Sequence, residues 1–345
     1  MPEGHTVHRL ARTFDELFAG APVAVTSPQG RFAAGAARLD GRMLVRAQAF
    51  GKQMFLGFAP PASPGAPADL ADGRLDWLRV HLGLYGSWTF AGDGSVAVAH
   101  AIGAPRRRIG ETETALPEAP DGVGPAPDDD APDDDAPDDG AYVPAAPRGQ
   151  VRVRLLGAHA VADLTGPTAC EVLTDAERRA VVARLGPDPI RADADPRRFV
   201  DRAHRSRTAV GLQLMNQDVI AGVGNIYRAE VLFRAGLDPS LPGTAVPTDT
   251  LRAVWEDLVV LMRDGVRTGR IVTTRPQDRG RGHELGHMAA GRVRQNTDGD
   301  PDAVSRDESF YVYHRDGLAC RVCGTPVKVR DAAGRNLFWC PTCQA

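Results

Sequence analysis

The first apolar stripe of the chain predicts a helix directly behind its second residue. Its members recur at spacings of three and four residues, the period of an amphipathic helix: Val7, Leu10, Ala11, Phe14, Leu17 and Phe18. Pro2 therefore stands at the start of this helix. Proline is favoured there because the first helical N–H groups have no partner inside the helix.

Short apolar runs separated by Gly and Pro follow the helix and predict strands. They are 23–25, 42–47, 54–58, 78–82, 87–90, 151–156 and 160–164. Parallel pairing of neighbouring strands needs a helix between them, and the pattern predicts none in this region. We therefore predict an antiparallel β-sandwich behind the N-terminal helix.

The hydrophobic period changes at Thr174, which is placed as the N-cap of a helix. Helical periods cover 175–185, 196–204, 209–216, 226–235 and 248–265. Residues 273–309 are polar and predict a long loop, and short strands around cysteines return from residue 310. The predicted fold is thus α+β, with a sandwich domain at 1–170, a helical domain at 171–309 and a cysteine-bearing domain at 310–345.

The composition indicates a globular protein whose charge is unevenly distributed along the chain. The 345 residues are 43% hydrophobic, which is ample for two or three cores, and they contain neither an apolar run of membrane-spanning length nor a signal peptide. We expect a cytoplasmic protein with no membrane partner.

The net charge is −3, but residues 111–140 carry twelve acidic and no basic residues, so the remainder carries +9. A basic body favours a polyanionic partner, and we interpret 111–148 as a solvated acidic insert; imitation of DNA by this segment is the alternative.

The C-terminal cysteines form a metal-ligand pattern. Two C-x2-C pairs, separated by sixteen residues, fit a four-thiolate tetrahedral zinc site on a β-hairpin, with the ligands Cys320, Cys323, Cys340 and Cys343. All four positions are filled, so the predicted zinc is structural. Cys170 is left over and is predicted to be a buried small side chain. Arg335, in the segment between the pairs, can reach phosphates, or it can be a solvated turn residue.

A glycine-rich turn, IAGVGN at 220–225, precedes the predicted helix at 226–235. Asn225 is predicted to cap that helix, and a helix N-terminus favours a bound anion. Arg228 and the basic Arg205-Ser206-Arg207 segment favour phosphate as that anion. A helix-turn-helix packing element without a ligand is the alternative.

The chain start has its own chemistry if Met1 is removed. The secondary amine of Pro2 would lie at the positive end of a helix dipole, which favours its neutral, nucleophilic form. Attack on a carbonyl-like carbon would give an iminium, with Glu3 able to move protons beside it. The alternative for both residues is a helix start without catalytic function.

Together these segments resemble the formamidopyrimidine-DNA glycosylase/endonuclease VIII family. The resemblance covers the PEG start, GKQMF around residue 52, HLGLYG at 81–86, the glycine-rich turn and the cysteine pairs with GRN between them. The Pro-Glu-Gly start is similar to the endonuclease VIII branch, whose preferred targets are oxidised pyrimidines.

The resemblance implies a role for each matching residue. Pro2 would be the nucleophile at C1′ of the damaged nucleotide, Glu3 a proton donor in sugar-ring opening, and Lys52 a proton donor linked to β-elimination. Arg335 would serve δ-elimination and phosphate binding. The helical domain would carry a helix-two-turn-helix motif, in which Asn225 binds phosphate.

The resemblance also implies contacts within the duplex. Arg184 matches a DNA-contacting arginine, and Leu84 with Tyr85 would fill the gap left by an extruded base; core packing is the alternative for these two. Gly83 departs from the glutamine common in the endonuclease VIII branch, which puts recognition of the opposite base in question.

We therefore predict a bifunctional DNA glycosylase and abasic-site (AP) lyase with one structural zinc, acting on damaged double-stranded DNA as a monomer. Excision of oxidised purines is one alternative. A catalytically silent DNA-binding protein is the other.

Overall fold

The computed structural model describes residues 2–59, 75–96, 101–103, 142–279 and 304–345. Met1 and most of the acidic insert lie outside the described residues. Within the insert, residues 142–148 form neither helix nor strand.

The predicted N-terminal helix is confirmed as α1, Gly4–Phe18. Its apolar stripe is buried, and the Phe14 ring lies edge-on to Trp88 with a centroid distance of 4.7 Å. Helix α1 therefore packs into the core of the strand-rich region, and this packing fixes the direction of the chain start.

The strands form one antiparallel sheet, which confirms the predicted pairing. They are β1 Pro22–Thr26, β2 Arg42–Phe50, β3 Gln53–Phe58, β4 Asp76–His81, β5 Ser87–Gly92, β6 Ala101–Gly103, β7 Val151–Leu156, β8 Ala160–Thr165 and β9 Ala169–Thr174. Their order is β6-β5-β8-β7-β1-β2-β3-β4-β9. Residues from both halves of this order share one hydrophobic core with α1, as in a sandwich.

Three elements of this region were not predicted. Strand β6, Ala101–Gly103, is only three residues long and pairs with β5 at one edge of the sheet. Helix α2, Ala33–Leu39, lies between β1 and β2, and it was missed because only Ala36 and Leu39 of its seven residues are buried. Strand β9 pairs with β4 at the sheet edge and runs past the boundary predicted at residue 170. Cys170 lies on β9, where it is partly buried and packs against the core.

The helical region consists of α3 Asp175–Ala183, α4 Pro196–His204, α5 Val210–Gln213, α6 Asn225–Arg234, α7 Thr248–Thr268 and α8 Arg306–Ser309. Short 3-10 helices cover Gly243–Ala245 and Pro276–Asp278. Thr174 caps α3 as predicted, in a reciprocal capping box with Glu177. Helix α5 is shorter than the predicted 209–216, because the chain leaves the helix in a turn after Gln213.

The predicted loop at 273–309 is partly structured where the structure describes it. Thr273 and Thr274 are buried, and α8 ends this stretch. The strands β10 Lys328–Asp331 and β11 Asn336–Trp339 form the predicted C-terminal hairpin. Side chains of this hairpin region and of α4, α6 and α7 share a second core, so the hairpin is packed onto the helices.

None of the helices in the described ranges is long and apolar enough to cross a membrane.

Candidate active site

A cleft of about 430 Å³ lies where the sheet, the helical region and the C-terminal hairpin meet. Four predicted site residues line it: Pro2, Lys52, Leu84 and Arg335. These residues come from the chain start, the β2–β3 turn, the loop after β4 and the hairpin tip. The fold therefore assembles one site from segments that are far apart in the sequence.

Glu3 lies directly behind Pro2 and is fully buried. Its carboxylate accepts hydrogen bonds from the backbone N–H groups of Gly224 at 2.9 Å and Ile226 at 2.8 Å. The anion at the start of α6 is therefore Glu3, and not the phosphate that the glycine-rich turn predicts. Burial raises the pKa of Glu3, while Lys52 and the two N–H donors partly offset this rise. A raised pKa favours the protonated form, which a proton donor requires.

Glycines allow the three segments to approach this closely. The Gly4 N–H donates to the Gly222 carbonyl at 2.8 Å, and a Cβ on Gly4 would lie 2.8 Å from the Cα of Gly222. Gly51, with φ +57°, touches the same turn, and a Cβ there would lie 2.8 Å from the Gly222 nitrogen. A side chain at any of these positions would push the chain start, the Lys52 turn or the α6 turn apart.

The Lys52 turn has a second anchor. The Gly51 N–H donates to the buried Asp188 carboxylate at 2.7 Å, and the same oxygen lies 2.7 Å from His8 Nε2 on α1. Asp188 also accepts from the Ile190 N–H at 2.9 Å. Because Asp188 belongs to the segment between α3 and α4, it joins the strand-rich and helical regions behind Lys52. No motif in the sequence had pointed to Asp188.

His81 was also missed, although it lies inside the quoted HLGLYG segment. It lines the cleft at the end of β4. Burial lowers the pKa of His81, and the positive charges of Lys52 and Arg79 lower it further. His81 is therefore a neutral hydrogen-bonding group beside Lys52 at physiological pH.

The loop after β4 presents Leu84 and Tyr85 to the solvent, with exposed fractions of 43% and 53%. The alternative that they belong to the core is wrong. Gly83 has φ +66°, and a Cβ at this position would lie 1.8 Å from the Thr168 hydroxyl oxygen, so this loop conformation does not accept glutamine there. The loop is thus held from behind while its apolar tip is available for contact.

Asn225 does not cap α6, contrary to the prediction. The N-cap is Gly224, and Asn225 is the first helical residue, only 1% exposed. Its side-chain NH2 donates to the Asn336 carbonyl at 2.9 Å, and Arg228 donates to the same carbonyl at 2.9 Å. Arg228 is fully buried and also contacts the Asn225 side chain. These residues hold the hairpin strand that begins directly after Arg335, and Arg228 is not the surface phosphate ligand that its sequence position favours.

Glu230 is a second buried carboxylate that the sequence analysis did not identify. It accepts three consecutive backbone N–H groups, from Tyr311, Val312 and Tyr313, each at 2.8 Å, and it also contacts the Thr273 hydroxyl. This bonding attaches the chain leading into the hairpin to α6. In the sequence, the one sign of this role is the position of a glutamate on an apolar helix face.

The four cysteines converge as predicted. Their sulfur atoms lie within 4.8 Å of one another, with Cys320 to Cys343 at 3.9 Å and Cys323 to Cys340 at 3.5 Å. Four thiolates bound to one zinc ion at about 2.3 Å lie about 3.8 Å apart in a tetrahedron, so the donors fit one structural zinc. The site lies at the base of the hairpin whose tip carries Arg335. Metal binding would therefore hold that tip in place.

Besides the buried Asn225, two predicted DNA-contacting side chains do not line the cleft. Tyr85 lies beside it in the exposed loop, and Arg184 is exposed at the C-terminal end of α3. Arg205 and Arg207 are also exposed, beyond the end of α4. These residues can reach a partner only outside the cleft.

Sequence patterns of two known domains match the chain. The formamidopyrimidine-DNA glycosylase H2TH domain matches residues 185–277, and the zinc finger found in FPG and IleRS matches 317–345. Solved structures of Lactococcus lactis Fpg in complex with DNA, one with an N7-benzyl-Fapy-dG and one with an abasic site, share the fold. Their TM-scores are 0.64 and 0.63, with 16% identity and 99% coverage of both chains. The fold is thus that of these solved structures, with an H2TH domain and a C-terminal zinc finger.

Full-length relatives make the assignment specific. The chain is 41% identical to "Endonuclease 8 1" of Mycobacterium tuberculosis and of Mycobacterium bovis over 344 residues. The alignment covers 100% of this chain and 100% of each relative. It is 32% identical over 170 residues to formamidopyrimidine-DNA glycosylase of Geobacillus kaustophilus, covering 49% of this chain and 55% of that protein. The chain belongs to the formamidopyrimidine-DNA glycosylase/endonuclease VIII family of DNA glycosylases and AP lyases.

Proposed function

We propose that this protein removes oxidised bases, with pyrimidines favoured, from double-stranded DNA and then cuts the strand by β,δ-elimination. The observation that carries the proposal is the cleft that brings Pro2, Lys52 and Arg335 together beside the buried Glu3. A nucleophilic amine, a proton donor and two cations in one cleft suit both halves of this reaction.

The damaged nucleotide leaves the base stack to reach Pro2, and Leu84 with Tyr85 fills the gap. Once Met1 is removed, the Pro2 nitrogen attacks C1′, and the C1′–N bond to the base breaks with its electron pair on the base. Glu3 donates a proton as the sugar ring opens, which leaves an iminium between Pro2 and C1′. The iminium acidifies the C2′ hydrogens, and loss of one of them expels the 3′ phosphate.

Lys52 moves protons during this β-elimination, and Arg335 stabilises the 5′ phosphate, which leaves in the δ-elimination. The residues of the cysteine cluster would hold zinc, whose contribution is to fix the hairpin. We place the DNA backbone along the exposed Arg184. For Asn225 the geometry supports an indirect role, because its amide holds Asn336 next to Arg335. We expect the enzyme to act as a monomer in the bacterial cytoplasm, at the nucleoid.

Borohydride trapping tests the nucleophile. Sodium borohydride should reduce the imine on an abasic duplex, and protease mapping should place the DNA on residue 2. Lys52 also carries an amine into the lining of the cleft, so it is the control. The variant Lys52→Gln should still form the adduct, because the imine forms on Pro2. An adduct on Lys52, or none at all, would refute Pro2 as the nucleophile. Intact mass should show that Met1 is absent, since a retained Met1 would favour the silent DNA-binding alternative.

Arg335 has a matched control in the same hairpin. The variant Arg335→Ala should accumulate the β-elimination product, because the δ step loses its phosphate ligand. Arg330→Ala removes an exposed arginine of β10, which stacks on Trp339, and should leave the product pattern unchanged. Equal product patterns from both variants would remove Arg335 from the mechanism. Turnover of thymine glycol against 8-oxoguanine duplexes separates the pyrimidine proposal from the purine alternative.

A further inference from the structure

One wall of the cleft is built by α5 and the turn that follows it. Leu212 and Met215 give this wall apolar surface, and Asn216 and Gln217 give it two neutral amides. The cations of the cleft, Lys52 and Arg335, suit phosphates and a developing sugar charge. A base is uncharged, so neutral donors and acceptors are the groups that can discriminate among bases.

Both ends of the Gln217 amide are already engaged. Its NH2 donates to the carbonyls of Met215 at 3.2 Å and Val223 at 3.0 Å, and its oxygen accepts the Gly222 N–H at 2.9 Å. Gln217 therefore holds the turn that contacts Gly4 and Gly51. It has little remaining capacity to bind an occupant of the cleft.

Asn216 differs from its neighbour. Its side-chain oxygen accepts the Asp218 N–H at 2.9 Å, which fixes the amide plane, and the residue is exposed at the cleft wall. Among the described residues, no hydrogen bond engages its NH2 group. The side chain thus presents an oriented neutral donor on an apolar wall.

We propose that the Asn216 NH2 donates a hydrogen bond to a carbonyl oxygen of the extruded base. This inference rests on the proposed function and adds a specificity-determining residue to it. Oxidised thymine carries carbonyl oxygens at C2 and C4, and a donor in this place accepts such an edge. It rejects a base that presents an exocyclic amino group there, because two donors would face each other.

Two substitutions isolate the donor. Asn216→Ser removes the NH2 group without adding charge, and its hydroxyl can still accept the Asp218 N–H. Asn216→Asp retains the oxygen that bonds Asp218 and replaces the donor with an acceptor. Thermal unfolding of both variants, compared with the unsubstituted enzyme, checks that the turn is intact.

The readout is a ratio of two reactions in the same cleft. Excision of thymine glycol requires base recognition, whereas cleavage of a preformed abasic site involves no base. Loss of one hydrogen bond to the base should lower kcat/KM for excision by Asn216→Ser about 10-fold and leave abasic-site cleavage within about twofold. The ratio of the excision rate to the abasic-site cleavage rate should fall further in the aspartate variant than in the serine variant. Taking this ratio removes the general effect of the added charge on DNA binding.

Two results would overturn the inference alone. One is excision by Asn216→Ser at the rate of the unsubstituted enzyme, and the other is an equal loss of excision and of abasic-site cleavage. If the unsubstituted enzyme cleaves neither the thymine glycol duplex nor the abasic duplex, the proposed function is overturned and this inference with it.

Discussion

Replacing Gly51 by alanine should separate the Lys52 turn from the α6 turn. An added Cβ would lie 2.8 Å from both the Ala221 Cβ and the Gly222 nitrogen, on backbone that is itself packed against Gly4. Carbon atoms in contact prefer about 3.5–4.0 Å, so the two turns must move apart by about 0.7 Å or more.

The energetic effect has two parts. A non-glycine residue at the left-handed φ of Gly51, +57°, costs about 1–2 kcal/mol in the free energy of unfolding. Overpacking against Ala221 and Gly222 adds about 1–3 kcal/mol. A displacement approaching 1 Å at a catalytic group lowers turnover by up to about 100-fold, so abasic-site cleavage should fall much more than stability alone explains.

Gly41 supplies the matched control. Its φ is +71°, but a Cβ there meets nothing within 4 Å, so Gly41→Ala introduces the backbone strain without the clash. Thermal unfolding and single-turnover cleavage of an abasic duplex should be measured for both variants. Equal results for Gly51→Ala and Gly41→Ala in both measurements would refute this prediction, because the close approach of the turns would then be irrelevant to the site.

Three further predictions follow from other contacts. Pro2→Gly or Glu3→Gln should abolish lesion excision while a gel-shift assay shows duplex binding largely intact; normal excision by both purified variants would contradict the mechanism. Zinc removal by a chelator, or Cys340→Ser, should abolish strand cleavage by releasing the hairpin that carries Arg335, and full activity in metal-free protein would exclude this role. Burial lowers the pKa of His5 from 6.5 in the unfolded chain to about 3 in the folded protein. Because the unfolded chain takes up the proton first, the free energy of unfolding falls by up to about 5 kcal/mol as the pH drops from about 6.5 towards 3. His5→Phe should lack this acid-side slope in denaturant titrations, and an unchanged slope would show that His5 is not its source.

Local signals in the sequence predicted most of the elements. The stripe of α1, the N-cap at Thr174 and the cysteine pairs each depend on residues a few positions apart, and all three are confirmed. Helix α2 and strand β9 escaped because neither has a buried face long enough to produce a period.

The site was predictable only in part. Pro2 and Arg335 were identified from their positions in the sequence, Lys52 and Leu84 only from a resemblance, and the structure brings all four to one cleft. The phosphate interpretation of the α6 start failed for a physical reason. A helix N-terminus favours any anion, and the chain supplies its own carboxylate there from 221 residues away.

By itself, the sequence determined most of the secondary structure, the zinc donors and the residue types available for chemistry, because these depend on neighbours along the chain. Only the tertiary structure decided which groups meet. The carboxylates of Glu3, Asp188 and Glu230 are bound by backbone N–H groups from distant segments, and such donors carry no signature of residue type. Glu3 and Asp188 meet the backbone of Gly224 and Gly51, whereas Glu230 meets residues 311–313, and each pairing follows from packing, which is a property of the whole fold.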